Sequence, residues 1–302
     1  MPQKNQFFSI AGSYKAKERV TRNASMSTVR IGIVAPGSRI DDALAARVTR
    51  LTADRYGGLA ELRFHPQCFL AWGHFAGDDD ARADGFLDFA NDPDIDAVWI
   101  ARGGYGACRI VSRVLDRLAP EAMGKTYLGY SDAGSLLASL YGRGATGVAH
   151  GPMAADVLRE GGETALRRAL AWLVARDPSA LEPSITNTTL TAAFNLTILS
   201  NLIGTPYEPD LAHHVIMLED VSEHLYRIDR ALWHVTNNPG VRKCAGIRLG
   251  RVSDILPNDP EFGQTPEEIA RHWCAESGIP FLGPADIGHD IDNKVVPFGV
   301  VL

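Results

Sequence analysis

Hydrophobic and polar positions along the first half of the chain predict strands that alternate with helices. The predicted strands lie at residues 29–35, 60–64, 96–101 and 126–128, and the first of them is a short, mostly β-branched apolar run. The predicted helices carry apolar residues at helical spacing, at residues 41–51, 79–90 and 107–118. Strands and helices that alternate in this way form βαβ units around a parallel sheet.

The pattern changes after about residue 176. Residues 177–191 are rich in Pro, Ser and Thr, which is typical of a linker or crossover. Beyond them we predict helices at 194–202, 224–235 and 266–274, strands at 214–218, 245–252 and 280–287, and a closing hairpin at 294–302. We therefore place a parallel-sheet α/β domain at residues 26–176 and a linker with a second, smaller domain at 177–302. Residues 1–25 are expected to be dispensable, either as a disordered leader or as the product of an upstream start codon.

Composition narrows the classes of function. The chain has 302 residues, of which 45% are hydrophobic and 22% charged, and its formal net charge is −6. Nucleic acids and anionic membrane surfaces require clustered Lys and Arg, so both are disfavoured as partners. No apolar run approaches the length that crosses a bilayer. A small molecule or a peptide is the expected partner.

The cysteines and histidines lack metal-binding or disulfide spacing. Four cysteines lie far apart without a CxxC pair, which favours reduced thiols in a cytoplasmic protein. There is no HExxH motif and no His/Asp cluster, so we predict neither a metal nor a cofactor. His65 and His74 lie in an irregular aromatic segment and could line a substrate cleft.

The stretch KTYLGYSDAGSLLASLY at residues 125–141 predicts a strand, a sharp turn and a helix, with Ser131 at the turn. Gly129 and Ala133 flank the serine at the spacing of a nucleophile elbow. Such a turn places the hydroxyl at a helix N-terminus, where unpaired N–H groups favour developing negative charge. The alternative is that Ser131 only caps the helix, and these residues alone favour the cap.

A serine hydroxyl becomes nucleophilic when a base takes its proton and a partner fixes the tautomer of that base. His289 follows a predicted strand and lies among turn formers, so it should be reachable; alternatively it is a turn histidine that contacts solvent. Glu219 and Asp220 follow the strand at 214–218 and place carboxylates at a strand end. Their alternative role is to cap the next helix.

The glycine-rich loop at residues 102–106 (RGGYG) lies between a predicted strand and a predicted helix. It could cradle a phosphate, although it lacks both the GxGxxG order and the Lys-Ser/Thr ending of a P-loop. It could instead donate a backbone N–H to an oxyanion, with Asp132 supplying the second donor. A tight turn that needs glycine is compatible with either role.

Together these residues resemble the LD-carboxypeptidase family, which includes muramoyltetrapeptide carboxypeptidases and microcin C self-immunity peptidases. The resemblance covers the chain from about residue 29 to the C-terminus. Its motifs are IGIVAPGS (31–38), ARGGYG (101–106), GYSD (129–132), NLTIL (195–199), LIGTPYEPD (202–210), LEDVSEHLYRIDR (218–230) and GHDIDNKVVPFG (288–299). Several separate motifs in one order are far more specific than any one of them.

The resemblance implies a triad of Ser131, Glu219 and His289, and an oxyanion hole from the backbone N–H groups of Gly104 and Asp132. It also implies a Rossmann-like N-terminal α/β domain, a smaller β-rich C-terminal domain, a site between the two, and a homodimer. Candidate substrate contacts are Arg102, Tyr105, Tyr130, Phe194 and Asn195. The pair Ala193-Phe194 departs from the glycines that family members often carry, which leaves the side-chain preference of the pocket open.

The implied reaction is hydrolysis of an L,D-peptide bond through an acyl-enzyme. It would release terminal D-alanine from murein tetrapeptides during cell-wall recycling. The same motifs fit a self-immunity peptidase that hydrolyses peptidyl- or aminoacyl-nucleotide toxins. Two further alternatives are a non-catalytic module that binds cell-wall peptides and a nucleotide-binding protein that holds phosphate at residues 102–106.

Overall fold

Ten strands and eight α-helices make up the regular part of residues 27–300, which are the residues described by the computed structural model. The predicted leader at 1–25 lies outside the described residues. The strands are β1 (Val29–Val34), β2 (Ala60–Phe64), β3 (Ala97–Ile100), β4 (Thr126–Gly129), β5 (Gly147–His150), β6 (Thr191–Asn195), β7 (Val215–Val221), β8 (Gly246–Ser253), β9 (Phe281–Pro284) and β10 (Val296–Pro297).

The helices connect these strands and cover the sheets. They are α1 (Asp42–Tyr56), α2 (Asp79–Ala90), α3 (Val111–Leu115), α4 (Gly134–Gly142), α5 (Glu163–Ala175), α6 (Leu196–Leu202), α7 (Leu225–Asn237) and α8 (Pro266–Ser277). Several begin where the sequence offers a polar cap. The side chain of Asp41 accepts from the Leu44 amide at the start of α1, and Thr265 forms a capping box with Glu268 at the start of α8.

The N-terminal sheet has the strand order β10-β5-β4-β3-β1-β2. Strands β1 to β5 are parallel, and β10 joins the edge of β5 in the antiparallel direction. The strand order reverses between β1 and β3, so the loops that leave these two strands splay to opposite faces of the sheet. A crevice at the carboxyl ends of the strands opens there, which is where ligands bind in open α/β sheets.

The C-terminal sheet is separate and has the order β6-β7-β8-β9, with all neighbours parallel. The predicted fold class, a Rossmann-like parallel-sheet domain followed by a smaller second domain, is confirmed. One cluster of buried apolar side chains runs from Ile100 and Leu136 beside the first sheet to Phe194 and Leu218 of the second. Because each such side chain contributes about 1.5–3 kcal/mol on burial, this shared core fixes one sheet against the other. The boundary drawn at residue 177 stays a prediction.

Two predicted helices were wrong in detail. The helix at 107–118 is a 3₁₀ turn (Ala107–Ile110) followed by the short α3, and the chain turns extended at Ala119 because Pro120 disfavours helical geometry there. The helix at 194–202 begins only at Leu196, after the fully buried strand β6. A short apolar run does not distinguish a buried strand from a buried helix by its period.

The predicted closing hairpin is also absent from the described residues. Val296 and Pro297 instead pair with His150 and Ala149 of β5, and Gly299 bridges to Thr191 at the start of β6. Pro297 lacks an N–H donor, which suits the edge of a sheet. The C-terminal segment therefore returns to the first sheet and ties it to the second.

Candidate active site

Ser131 lies on the sharp turn between β4 and α4. Its φ of 60° is in the left-handed region, where a residue with a side chain is strained. The turn is tight against β3, because a Cβ atom on Gly129 would lie 2.5 Å from Cγ1 of Ile100. The Ser131 side chain makes no capping bond to the helix that follows. The capping interpretation is therefore wrong, and the strained turn presents the hydroxyl as an elbow does.

The structure brings Ser131, His289 and Glu219 into one hydrogen-bonded chain. Nε2 of His289 lies 3.0 Å from Oγ of Ser131, and Nδ1 lies 2.5 Å from Oε2 of Glu219. A carboxylate can only accept, so in the neutral imidazole Nδ1 carries the hydrogen. Nε2 is then left with a lone pair that faces the serine hydroxyl. This is the arrangement in which a histidine can act as a general base.

Burial and charge both affect the pKa values of Glu219 and His289. Glu219 is completely buried in β7, and burial raises the pKa of its carboxyl group. Burial alone would lower the pKa of His289, but the charge of Glu219 and its hydrogen bond outweigh that effect, so the pKa of His289 is raised above its ordinary value. The pair therefore binds one proton more tightly than an isolated imidazole does.

The loop that carries His289 is attached to the first sheet through His150. Asn293 Oδ1 accepts from the Gly288 amide at 3.2 Å and lies 3.1 Å from Nε2 of His150. Because Oδ1 can only accept, Nε2 of His150 is the donor. Burial lowers the pKa of His150 to about 3, which keeps it neutral. Arg168 donates to the carbonyls of Ile291 and Asn293, at 2.7 and 3.0 Å, and holds the same loop from α5.

The glycine-rich loop approaches Ser131 from β3. A Cβ atom on Gly103 would lie 3.1 Å from Oγ of Ser131, so the close approach depends on glycine. Gly104 has φ +91°, and a Cβ atom there would lie 2.3 Å from Oγ of Ser38. Of the two amides predicted to form an oxyanion hole, that of Asp132 directly follows Ser131 in the chain, and that of Gly104 follows Gly103, the glycine close to Ser131 Oγ. Their role as donors stays a prediction.

The peptide groups around Gly106 are clamped from two sides. The Asp132 carboxylate accepts from the amides of Gly106 and Ala107, at 2.9 and 2.8 Å. Arg82, which has no exposed surface, donates to the carbonyl of Gly106 at 2.8 Å and also to that of Pro36. The two loops at the reversal of strand order are thereby joined through one buried guanidinium. We refer to Arg82 and Asp132 together as the loop clamp.

Three of the five expected substrate contacts are buried. Tyr130 is 1% exposed and donates to Asp156 Oδ1 at 2.9 Å, while Phe194 is 0% exposed and packs edge-on against Phe298. Asn195 caps α6 and donates to Asp220. These side chains are engaged with the protein itself, and their contact with a substrate stays a prediction. Arg102 and Tyr105 are exposed, as a substrate contact requires.

Two other candidates, Asp220 and His65, have structural roles. Asp220 accepts from the amide and hydroxyl of Thr197, at 3.0 and 2.9 Å, and so supports the start of α6. His65 accepts from the Gln67 amide and lies 3.1 Å from Asp88. Sequence reasoning missed Arg82, whose position on a polar helix resembles a solvated one. It also missed His150, whose place at the end of an apolar strand was the available signal of burial.

Among residues 27–300, no group of three or more His, Cys, Asp or Glu side chains could hold a metal ion. Within the same residues, no helix is long and apolar enough to cross a membrane.

A serine on a strained strand-to-helix turn, with a histidine against its hydroxyl, places the protein among the serine hydrolases of α/β fold. Comparison with protein families then identifies the group. Residues 31–151 match the LD-carboxypeptidase N-terminal domain, and residues 191–302 match the LD-carboxypeptidase C-terminal domain. The chain therefore belongs to the LD-carboxypeptidase family and is a serine-type carboxypeptidase, as the sequence motifs predicted.

Individual relatives agree with this assignment. A putative carboxypeptidase of Synechocystis is 30% identical over 236 residues, which is 76% of each chain. The murein tetrapeptide carboxypeptidase of Pseudomonas aeruginosa is 27% identical over 291 residues, covering 89% of this chain and 91% of its own.

Two solved structures share the fold. The muramoyltetrapeptide carboxypeptidase of Oxalobacter formigenes superposes with a TM-score of 0.73 at 25% identity, covering 89% of this chain and 93% of its own. The protein MccF, solved in complex with glutamyl sulfamoyl guanosine, superposes with a TM-score of 0.72 at 18% identity, covering 91% of this chain and 92% of its own. At that identity the similarity to MccF concerns the fold alone.

Proposed function

We propose that this protein cleaves the L,D-peptide bond of murein tetrapeptides and releases the terminal D-alanine in cell-wall recycling. The observation that carries the proposal is the hydrogen-bonded chain from Ser131 through His289 to Glu219. The substrate class is supported by the murein tetrapeptide carboxypeptidase of Pseudomonas aeruginosa and the muramoyltetrapeptide carboxypeptidase of Oxalobacter formigenes.

In the proposed mechanism His289, oriented by Glu219, takes the Ser131 proton while Oγ attacks the carbonyl carbon of the L-configured centre. The resulting oxyanion accepts from the amides of Gly104 and Asp132, each worth about 3 kcal/mol of transition-state stabilisation. His289 then gives its proton to the amine of D-alanine as the C–N bond breaks. Water, activated by the same histidine, hydrolyses the acyl-enzyme and restores the serine.

A carboxypeptidase must also recognise the free carboxylate of the residue that it releases. Arg102 follows β3 directly and precedes the glycine that touches Ser131. It is exposed, and among residues 27–300 no ion pair engages its guanidinium. We propose that Arg102 binds the terminal carboxylate, because a guanidinium offers two parallel N–H donors to such a group.

The proposal extends to the setting in which the enzyme works. The enzyme acts on a small peptide and binds neither nucleic acid nor a membrane surface. It works in the cytoplasm as a homodimer. The four cysteines are all free, which supports a reducing compartment. The homodimer rests on the resemblance to the family and is tested by sedimentation of the purified protein.

A second candidate function is hydrolysis of peptidyl- or aminoacyl-nucleotide toxins in self-immunity. The observation in its favour is the fold shared with MccF, whose complex contains glutamyl sulfamoyl guanosine. It would use the same serine, histidine and glutamate. The two candidates therefore differ in what lies beyond the reacting bond.

The deciding experiment incubates the protein with a murein tetrapeptide and, separately, with glutamyl sulfamoyl adenosine, and identifies the products by mass. We expect D-alanine and tripeptide from the first and at most slow hydrolysis of the second. Ser131→Ala is the control and should abolish both product formation and labelling by a fluorophosphonate. Rapid cleavage of the nucleotide alone would favour self-immunity. Peptide binding without product or labelling would indicate a non-catalytic module.

A further inference from the structure

Residues 70–76 fold back on themselves beside the glycine-rich loop. Trp72 and Phe75 exchange two backbone hydrogen bonds of 3.0 Å, and their rings stack at 5.9 Å with an angle of 29°. The ring of Tyr105 lies 6.1 Å from that of Phe75 and 6.5 Å from that of His74. We call these four side chains, Trp72, His74, Phe75 and Tyr105, the aromatic platform.

Two arginine side chains and the backbone of Gly106 lie against the Phe75 ring of the platform. The guanidinium groups of Arg82 and Arg109 lie 4.6 and 5.3 Å from the centre of the Phe75 ring, within the range of cation–π attraction. Phe75 also packs against the backbone of Gly106, where a Cβ atom would lie 2.9 Å from the ring. The base of the platform is thus built into the loop clamp, so its rings are preorganised.

The upper side of the platform is open to solvent. Trp72 and Tyr105 are each 53% exposed, and both rings lie against Phe75. Large aromatic side chains that are exposed close together form a patch of the kind that marks a binding site. Trp and Tyr combine an apolar ring face with a polar edge, which suits a ligand that is apolar on one side and polar at its rim.

The platform is continuous with the candidate active site. Tyr105 directly follows Gly104, one of the two predicted oxyanion donors. Nε2 of His74 lies 3.5 Å from Oγ of Ser38, which in turn contacts Gly104. From Tyr105 the ring centres lead by way of Phe75 to Trp72, in two steps of 6.1 and 5.9 Å. The platform therefore begins at the residue next to Gly104.

The chemistry of a carboxypeptidase decides which part of the substrate can reach this surface. Only one amino acid lies on the leaving side of the scissile bond, and it is too short to span two ring-to-ring steps. The platform must therefore serve the acyl side. In a muramoyl tetrapeptide, three residues separate the scissile bond from the sugar, a span of about 10 Å when extended. That span is of the same order as the two ring-to-ring steps, of 6.1 and 5.9 Å, from Tyr105 to Trp72.

We propose that the aromatic platform binds the pyranose ring of the muramoyl group at the N-terminal end of the tetrapeptide. This inference rests on the proposed function and extends it to the part of the substrate that does not react. A pyranose ring presents a face of C–H groups to an aromatic ring and hydroxyl groups at its rim, which a polar side chain of the platform such as His74 can bind. The site therefore selects sugar-bearing peptides over free ones.

The experiment compares kcat/KM for a muramoyl tetrapeptide and for the free tetrapeptide of the same sequence. In the unaltered enzyme we expect the sugar-bearing substrate to be preferred. Trp72→Ala should reduce that preference about tenfold, which is the order of magnitude for one ring stacked on an aromatic side chain. Trp72→Phe, which keeps an aromatic face, should restore most of it. Trp233→Ala is the matched control, since Trp233 is 49% exposed on α7, away from the platform.

An unchanged preference in a folded Trp72→Ala variant would overturn the inference. So would a selective loss of glutamyl sulfamoyl adenosine hydrolysis, because a nucleobase would then be the occupant. If neither peptide is hydrolysed, the proposed function is wrong, but the platform can still be tested. Calorimetry then compares the binding of the two peptides to the Ser131→Ala variant. Tighter binding of the sugar-bearing peptide that is lost with Trp72→Ala supports the platform, and equal binding overturns it.

Discussion

Nε2 of His289 lies 3.0 Å from the hydroxyl oxygen of Ser131, although 158 positions separate the two residues in the chain. Ser131 leaves β4 in the first sheet, and His289 lies on the loop after β9 in the second. The buried contact between Asn293 and His150 joins that loop to β5, beside β4. The reacting geometry therefore exists only while the two sheets are docked.

The first prediction concerns the acid limb of the pH profile. His289 must be neutral to act as a base, and its pKa is raised by Glu219 in spite of burial. The kcat/KM for tetrapeptide hydrolysis should therefore rise with pH through a midpoint above about 6.5, the ordinary value for histidine. Glu219→Gln should move the midpoint to lower pH and lower kcat by about 10⁴-fold, because the tautomer is no longer fixed. An unmoved midpoint would show that Glu219 does not control this histidine.

The second prediction separates the strain at Ser131 from its chemistry. Ser131 has φ 60°, a conformation that costs a residue with a Cβ atom about 1 kcal/mol and costs glycine almost nothing. Ser131→Gly and Ser131→Ala should both be inactive, but the glycine variant should be more stable by about 1 kcal/mol. Urea unfolding of the two variants measures the difference directly. If the alanine variant is equally stable, the turn stores no strain.

The architecture could be predicted largely from local pattern. The β-branched run at residues 29–34 and the apolar run at 97–100 are strands because they are buried on both faces of a parallel sheet. Strand β6 could not be distinguished from a helix, since all five of its residues are buried and none alternates with a polar position. The attachment of β10 to β5 was equally hidden, because two residues carry no periodicity and the pairing is long-range.

The candidate site also has one part that the sequence predicts and another that it does not. Ser131 could be located from its turn, since small residues at fixed offsets are a local signal. The buried side chains that hold the site in place could not be located from the sequence. Arg82 donates hydrogen bonds to the carbonyls of Pro36 and Gly106, and His150 donates to Asn293. Such contacts join backbone or side-chain groups from separate elements, and no residue spacing records them. Interactions of this kind require coordinates.

The third prediction tests the loop clamp. Arg82→Lys keeps the charge but cannot bind the carbonyls of Gly106 and Pro36 with one rigid fork. The displaced loop should lower kcat by about 10- to 100-fold while KM changes little, since loss of a whole oxyanion donor costs about 10²–10³-fold. Arg113→Lys is the control, because Arg113 also pairs with Asp79 but has no bond to the loop. A rise in KM as large as the fall in kcat would instead indicate general damage to the cleft.

The last prediction is that His150 makes the fold sensitive to acid. Burial lowers the pKa of His150 to about 3, whereas in the unfolded chain it returns to about 6.5. The unfolded state therefore binds more protons between these values, so stability is full above pH 6.5 and is lost as pH falls. Between pH 7 and pH 5 the loss should be about 2 kcal/mol. His150→Gln, which keeps a donor for Asn293, should remove this part of the pH dependence in urea unfolding, whereas His272→Gln, at an exposed position on α8, should not. Equal slopes for all three proteins would show that His150 is not held neutral.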